Sequence, residues 1–261
     1  MHFFYLQPGD WPSDLTCNLS ATAHCIAQKI ELSGQEAHHL SRVLRLKQGE
    51  CVIVLDGDGR EAKTIIQAIR KNSVELHIEN VMRHSRPEAK TILAVGWGKA
   101  ARRGWIFEKA VELGASELWF WQAERSQFSL PGEIKENWMA QLIAGLKQCR
   151  NPWLPKLRAF PGGVDELLGA AHDMEYKQLL VENDYPHQDF LTESKLGLAG
   201  RTICVVGPEG GFCPLEIEKL ILAGFTALSM GDRILRWETA AILALGLHWW
   251  KKQTGNHGLE S

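Results

Sequence analysis

RTICVVGPEGGFCPLEIEKLILAG, residues 201–224, decides the fold. An apolar segment, RTICVVG, runs into GPEGG, and PLEIEKLILAG follows with helical spacing. This predicts strand, tight glycine loop, helix. Glycines let backbone N–H groups approach a ligand closely, Pro208 stiffens the turn, and Pro214 suits a first helical turn. Ligands of parallel sheets bind at the carboxyl ends of the strands, where this loop lies. The competing reading is a strand–helix turn with no ligand. No GK[ST] follows, so the loop is not a P-loop, and it lacks G-x-G-x-x-G.

Working outward, the same alternation recurs. TILAVGW from Thr91, ELWFW from Glu117, KQLLVEN from Lys177 and TALSMG from Thr226 read as strands. RRGWIFEKAVELG reads as an amphipathic helix ending at Gly114, with Ile106, Phe107, Ala110, Val111 and Leu113 as its stripe. IKENWMAQLIAGLKQC is a second helix, stopped by Pro152, and TAAILALGLHWWKK is the last. Strands alternating with helices give an α/β domain with a parallel sheet. The first 84 residues differ. A short helical piece, GQEAHHLSRVLRL, precedes CVIVLDGDGREAKTIIQAIRKNSVELHIENV, where β-branched runs alternate with turns at DGDG and RKNS. That is a small antiparallel sheet or barrel. VLDGDGR superficially resembles the acidic glycine loop of Rossmann-type methyltransferases, but a hairpin turn reads better, because REAKTIIQAI alternates. MRHSRPEAK is the linker, giving domains 1–84 and 85–261.

Composition narrows the classes. The chain has 261 residues, a net charge of −2 and 45% apolar residues, so binding to nucleic acid must rest on local patches. Arg83, Arg86, Lys90, Lys99, Arg102 and Arg103 face one acid, Glu88, and Lys147, Arg150, Lys156 and Arg158 face none. Each run is equally readable as a solvated face. His38, His39, Arg42, Arg45 and Lys47 form a third basic group, or an amphipathic helix packed by Leu40, Val43 and Leu44. Arg233 and Arg236 follow Gly231 in a second loop, where Glu238 or Thr239 caps the next helix or reaches the site; surface ion pairing is the alternative for both arginines. The six cysteines (Cys17, Cys25, Cys51, Cys149, Cys204, Cys213) show no CxxC and no metal spacing. The opening MHFFYLQPGDWP is too short and polar for a signal peptide, and AAILALGLHWW is too short to span a bilayer. The expectation is a soluble, reduced, cytoplasmic protein without a metal.

VVGPEGGF, MGDRILRWETAAILAL, KAVELGASELWFWQAERS and HHLSRVLRLKQGE, which lie along the chain in the family's order, resemble the RsmE family, ribosomal RNA uracil-N3-methyltransferases of the SPOUT superfamily. Met230 stands where the family often has leucine, and Trp237 where it has a small or β-branched residue. The resemblance implies a C-terminal trefoil knot, a PUA-like N-terminal barrel, and a homodimer acting on 16S rRNA of the small subunit at U1498. It implies S-adenosylmethionine as cofactor. Its cradle would be Gly207, Pro208, Glu209, Gly210 and Gly211, with Leu180, Val181 and Glu182 as a further wall. Leu228, Ser229, Met230, Gly231, Ile234, Leu235, Arg236 and Thr239 would close over it. Arg236 is the first choice to stabilise charge on the uracil, then Arg125 and Arg233. Glu209 is an orienting acceptor or base, or a structural residue facing the cofactor. RNA would be held by His39, Arg42, Arg45, Lys99, Arg102, Arg103, Arg125 and Arg150. Three rivals stay open: a SPOUT enzyme with another product, such as tRNA ribose 2′-O-methylation; a non-catalytic RNA-binding or ribosome-assembly protein; and a nucleotide hydrolase using GPEGG as a phosphate loop.

Overall fold

A computed structural model describes residues 1–12, 29–182, 185–186, 188–196 and 200–257. Cys17 and Cys25 lie outside the described residues. The chain divides into two compact units: Met1–Arg86 with Leu146–Leu154, and Pro87–Gly145 with Pro155–Ser261.

The first unit is a five-stranded sheet of β1 (His2–Tyr5), β2 (Lys29–Ser33), β3 (Cys51–Leu55), β4 (Arg60–Ile69) and β5 (Ser73–Arg83), in the order β1-β3-β4-β5-β2. All pairs are antiparallel except β1 with β3. Alternating side chains place Val52, Val54, Ala62, Ile66, Val74, Leu76 and Ile78 in one core with Phe4, Leu32 and Leu40. DGDG is a hairpin turn. Asp56, buried, accepts from the Asp58 and Arg60 N–H groups at 2.7 and 2.8 Å and from Arg60 Nε at 2.6 Å. A carboxylate closing its own turn explains the acidic pattern without a ligand. Helix α1 (Gly34–His38) continues into a π-helical turn, His39–Val43.

The second unit holds a seven-stranded, all-parallel sheet. Its strands are β6 (Lys90–Gly96), β7 (Glu117–Trp121), β8 (Lys156–Phe160), β9 (Tyr176–Leu180), β10 (Asp189–Phe190), β11 (Arg201–Val206) and β12 (Thr226–Ser229). The order is β10-β12-β9-β11-β6-β7-β8. Its helices are α2 (Ala100–Glu112), most of α3 (Glu136–Cys149, whose last four residues fall in the first unit), α4 (Val164–Ala170), α5 (Pro214–Leu222) and α6 (Trp237–His257). Both faces are covered, so the central strands β6 and β11 carry apolar runs, ILAV and ICVV, rather than alternating. On one face Ile92, Trp119, Trp121, Leu179, Ile203 and Val205 pack with Leu167 of α4 and Leu220 of α5. On the other, Phe120 meets Trp97, Phe107 and Trp138 at ring separations of 5.3–5.8 Å.

Several boundaries depart from the sequence reading. KQLLVEN was expected as strand through Asn183, but β9 stops at Leu180. The linker is shorter than MRHSRPEAK, because Met82 and Arg83 end β5 and Lys90 begins β6. Helix α3 starts at Glu136 rather than Ile134. Part of the second basic run is strand: Arg158 on β8 lies 4.8 Å over both the Trp119 and Phe160 rings, so its charge caps aromatic surface.

Helix α6 is pinned by a buried polar cluster. His248 Nε2 sits 2.9 Å from Gln178 Oε1 on β9 and 3.4 Å from Cys204 Sγ on β11. Burial, with the nearby Lys252 charge, pushes the His248 pKa down to about 4, and burial pushes the Cys204 thiol up to about 12. Both groups are neutral at ordinary pH.

Candidate active site

The carboxyl ends of β9, β11 and β12 open into one cavity of about 660 Å³. β9 supplies Leu180 with Val181 and Glu182 just beyond it; β11 runs into Gly207, Pro208, Glu209, Gly210, Gly211 and Phe212. β12 ends in Ser229, followed by Met230, Gly231, Arg233, Ile234, Leu235 and Arg236, then Trp237 and Ala240 of α6. Arg102, Arg125, Tyr185, Pro186 and Ile217 add to the wall. Of the expected cofactor residues, two do not line it. Leu228 is buried in β12, its carbonyl accepting from the Val181 N–H at 3.0 Å, and Thr239 is exposed on the first turn of α6. That turn begins at Trp237, so Glu238 and Thr239 lie inside the helix rather than capping it.

The glycine loop is locked from two sides. A Cβ on Gly96 would fall 2.5 Å from the Pro208 nitrogen, and one on Gly98 would fall 2.6 Å from Glu209 Oε2. At Gly96 the neighbours are main chain and a rigid ring, so GWGK at the end of β6 fits against GPEGG only because that glycine lacks a side chain; at Gly98 the neighbour is the Glu209 carboxylate. Glu209 fastens the two segments: its Oε1 accepts the Lys99 N–H at 2.8 Å. Its Oε2 is buried with no hydrogen-bond partner among the described residues. Arg103 stacks 3.7 Å over Trp97 and donates to the Gly98 carbonyl at 2.5 Å. Burial lowers its pKa from the ordinary value, and the Glu209 charge opposes the shift.

Arg125 is placed by a residue that sequence reasoning missed. Glu216, buried at the third position of α5, accepts the Cys213 N–H and the Glu124 N–H, each at 2.8 Å. The first contact caps α5; the second holds the loop carrying Arg125, whose Nη1 donates to the Gly210 carbonyl at 3.3 Å. The signal was present as P-L-E, an acceptor at the capping-box position. It also places a carboxylate at the helix end, which disfavours an anionic ligand there. In the second loop Ser229 Oγ bonds the Gly231 carbonyl and N–H at 3.0 and 3.3 Å, and Gly231 sits at φ 146°. Arg233 and Arg236 are exposed. Arg102 pairs with Glu238 at 3.3 Å. Trp237 is 4% exposed, and its indole Nε1 has no partner among the described residues.

The expected RNA contacts fall into two groups. Arg102, Arg103 and Arg125 belong to the cavity and its supporting loops, with Lys99 exposed beside them. In the first unit Arg42 and Arg45 are exposed, His39 lies edge-on to Phe4 at 6.2 Å, and Arg150 lies 5.2 Å over the Phe3 ring. Among the described residues there is no cluster of three metal-binding side chains, and no helix is long and apolar enough to cross a membrane.

Comparison with known proteins places this architecture. The RNA methyltransferase domain family matches residues 85–249, and the RNA methyltransferase PUA domain matches 32–79. Ribosomal RNA small subunit methyltransferase E of Bacillus subtilis is 29% identical over 229 residues, covering 84% of this chain and 89% of that protein. A Legionella pneumophila protein named as a methyltransferase, solved with the bound cofactor SAM, is 29% identical with a TM-score of 0.74, covering 95% and 96% of the two chains. A predicted RNA methyltransferase from Thermotoga maritima is 28% identical with a TM-score of 0.68, covering 97% and 99%. With a PUA domain ahead of a parallel-sheet RNA methyltransferase domain, and this likeness along most of its length, the chain belongs to the RsmE family of ribosomal RNA small subunit methyltransferases.

Proposed function

We propose that this protein methylates N3 of a uridine in small-subunit ribosomal RNA, the family's U1498, using S-adenosylmethionine. The observation that carries the reading is the cavity at the ends of β9, β11 and β12, which joins glycine-rich backbone, two carboxylates and several guanidinium groups.

The residues fit the cofactor. Leu180, Val181, Ile234 and Leu235 offer apolar walls for an adenine, and Glu182 and Glu209 offer carboxylates to a cationic ligand. The same acids, with Glu216 capping α5, weigh against a nucleotide triphosphate. When bound, S-adenosylmethionine supplies an electrophilic methyl group. The chain's own residues position the acceptor and stabilise its charge. As uracil N3 loses its proton, negative charge spreads to O2 and O4, where a guanidinium favours the anion. Arg236 has this role, with Arg125 and Arg233 beside the same cavity. Glu209, which lines the same cavity, orients the base, takes the proton, or faces the cofactor as a structural residue.

The remaining parts of the reading rest on the family: a trefoil knot in the C-terminal unit, a homodimer, RNA held within the small subunit, and a cytoplasmic setting. The dimer has support in exposed apolar side chains, Leu243 and Trp250 on α6 and Trp105 on α2.

The test is methyl transfer to small subunits lacking the modification, with nucleosides analysed by mass spectrometry. N3-methyluridine is the expected product. A different methylated nucleoside replaces the substrate, and failure to bind S-adenosylmethionine returns the protein to a non-catalytic RNA-binding role.

A further inference from the structure

A second hollow of about 540 Å³ adjoins the first and shares Arg125, Tyr185, Phe212 and Ile217 with it. Its outer wall is α5, where Ile221 is 40% and Leu222 80% exposed. A solvated helix face is ordinarily polar, so a cluster of large apolar side chains beside a cavity marks a binding surface. Phe212 is a fixed platform: its ring stacks on Trp121 at 5.9 Å and 22°. Arg125 is the cation of the hollow, and Glu218 is its carboxylate.

We propose that this hollow receives an unpaired nucleobase of the substrate RNA, the neighbour of the base being methylated. This rests on the methyltransferase reading above. The shared residues make the hollow continuous with the cavity that must hold the acceptor base, so an adjacent nucleotide reaches it. An aromatic and aliphatic lining with one guanidinium suits a base lying flat with its phosphate at Arg125. Glu218 repels a phosphate and accepts from a base N–H, which orders the nucleotide with its base toward α5 and its backbone toward Arg125. Single-stranded RNA is bound in this way, by stacking and local positive charge.

The test compares wild type with Ile221→Ser/Leu222→Ser and Ile221→Asp/Leu222→Asp. Both positions are solvent-facing, and S-adenosylmethionine affinity by calorimetry reports an intact fold. The serine pair should raise KM for small subunits several-fold and the aspartate pair at least roughly tenfold. Cofactor Kd should stay within about twofold, because neither residue lines the first cavity. 2-Aminopurine beside the target uridine should be quenched by wild type and less so by the variants. Unchanged KM and quenching would overturn the proposal. So would a shift in oligomeric state by light scattering, which would make the hollow a contact between copies. If wild type methylates no subunit, the functional reading fails separately, and direct binding of small-subunit RNA to the three proteins still decides whether the hollow holds a base.

Discussion

The backbone N–H of Lys99 and the carboxylate of Glu209 meet at 2.8 Å although 110 residues separate them. The bond closes the loop after β6 onto the loop after β11, and the same residue lines the cavity, its Oε2 buried against Gly98. Glu209→Ala removes both the clasp and the charge. S-adenosylmethionine Kd by calorimetry should weaken by roughly tenfold or more, the usual scale for a charge-assisted hydrogen bond. Glu209→Gln keeps an acceptor for Lys99 and should retain part of the affinity; equal losses in the two variants would mean that the clasp contributes little.

Gly96 tests the close approach of the same two loops. The nearest neighbours of a Cβ there are the Pro208 nitrogen, the Cδ of its rigid ring and the Gly207 carbonyl carbon, none of which can swing aside as a flexible side chain would. Gly96→Ala should therefore cost about 2–3 kcal/mol of stability, the range for overpacking. Urea unfolding measures it. A loss below about 0.5 kcal/mol would show that the loops separate freely.

Arg236 lines the cavity but is otherwise exposed. If its guanidinium acts on the charge developing on uracil, Arg236→Ala should lower kcat by about a hundredfold or more while moving cofactor Kd far less. Single-turnover kinetics against calorimetry separates the two. Equal losses would assign the residue to cofactor binding instead.

The His248 pocket makes stability depend on acid. A pKa of about 4 in the folded chain lies below the ordinary 6.5, so the folded state holds the ring neutral. The contribution is complete above pH 6.5 and is lost as pH falls through 4, on the order of 3 kcal/mol in all. Between these limits wild type should lose stability more steeply than His248→Gln, which does not titrate. Parallel slopes in urea unfolding at pH 7, 5.5 and 4.5 would refute this.

Trp237 offers a cleaner separation of packing from hydrogen bonding. Its indole is buried and its Nε1 lacks a partner among the described residues. Trp237→Phe should cost only about 1–2 kcal/mol for the smaller ring, since no bond is lost, whereas Trp237→Ala should cost about 3–5 kcal/mol. A large loss in the phenylalanine variant would mean that the N–H is satisfied by solvent or ligand.

What the sequence disclosed was local. GPEGG, the DGDG hairpin and the stripe of Ile106, Phe107, Ala110 and Val111 each carry their signal within one turn or one helix. The misses share a cause of the opposite kind. Strand β8 reads KLRAF, and its two cations disguised it as part of a basic run until Arg158 was found lying over Trp119 and Phe160. Helix α4 is seven residues long, too short for periodicity to declare itself. The need for Gly96 to be glycine is set by Gly207 and Pro208, and nothing near position 96 announces partners so distant in the chain. Glu216 was legible as a helix cap, but its second bond, to Glu124, depends on how β7 and β11 are arranged in the sheet.

The place of β6 between β7 and β11 also bears on synthesis. Strand β6 ends at Gly96, and the partner on its other side begins at Arg201. At ribosomal rates of about 5–20 residues per second, its apolar edge waits roughly 5–20 s for that partner. An uncovered strand edge of this kind recruits other chains. The nascent protein therefore passes through a period of aggregation risk that the finished one does not have, and shielding by a chaperone during those seconds should raise the yield of folded enzyme more than any change to the completed sheet.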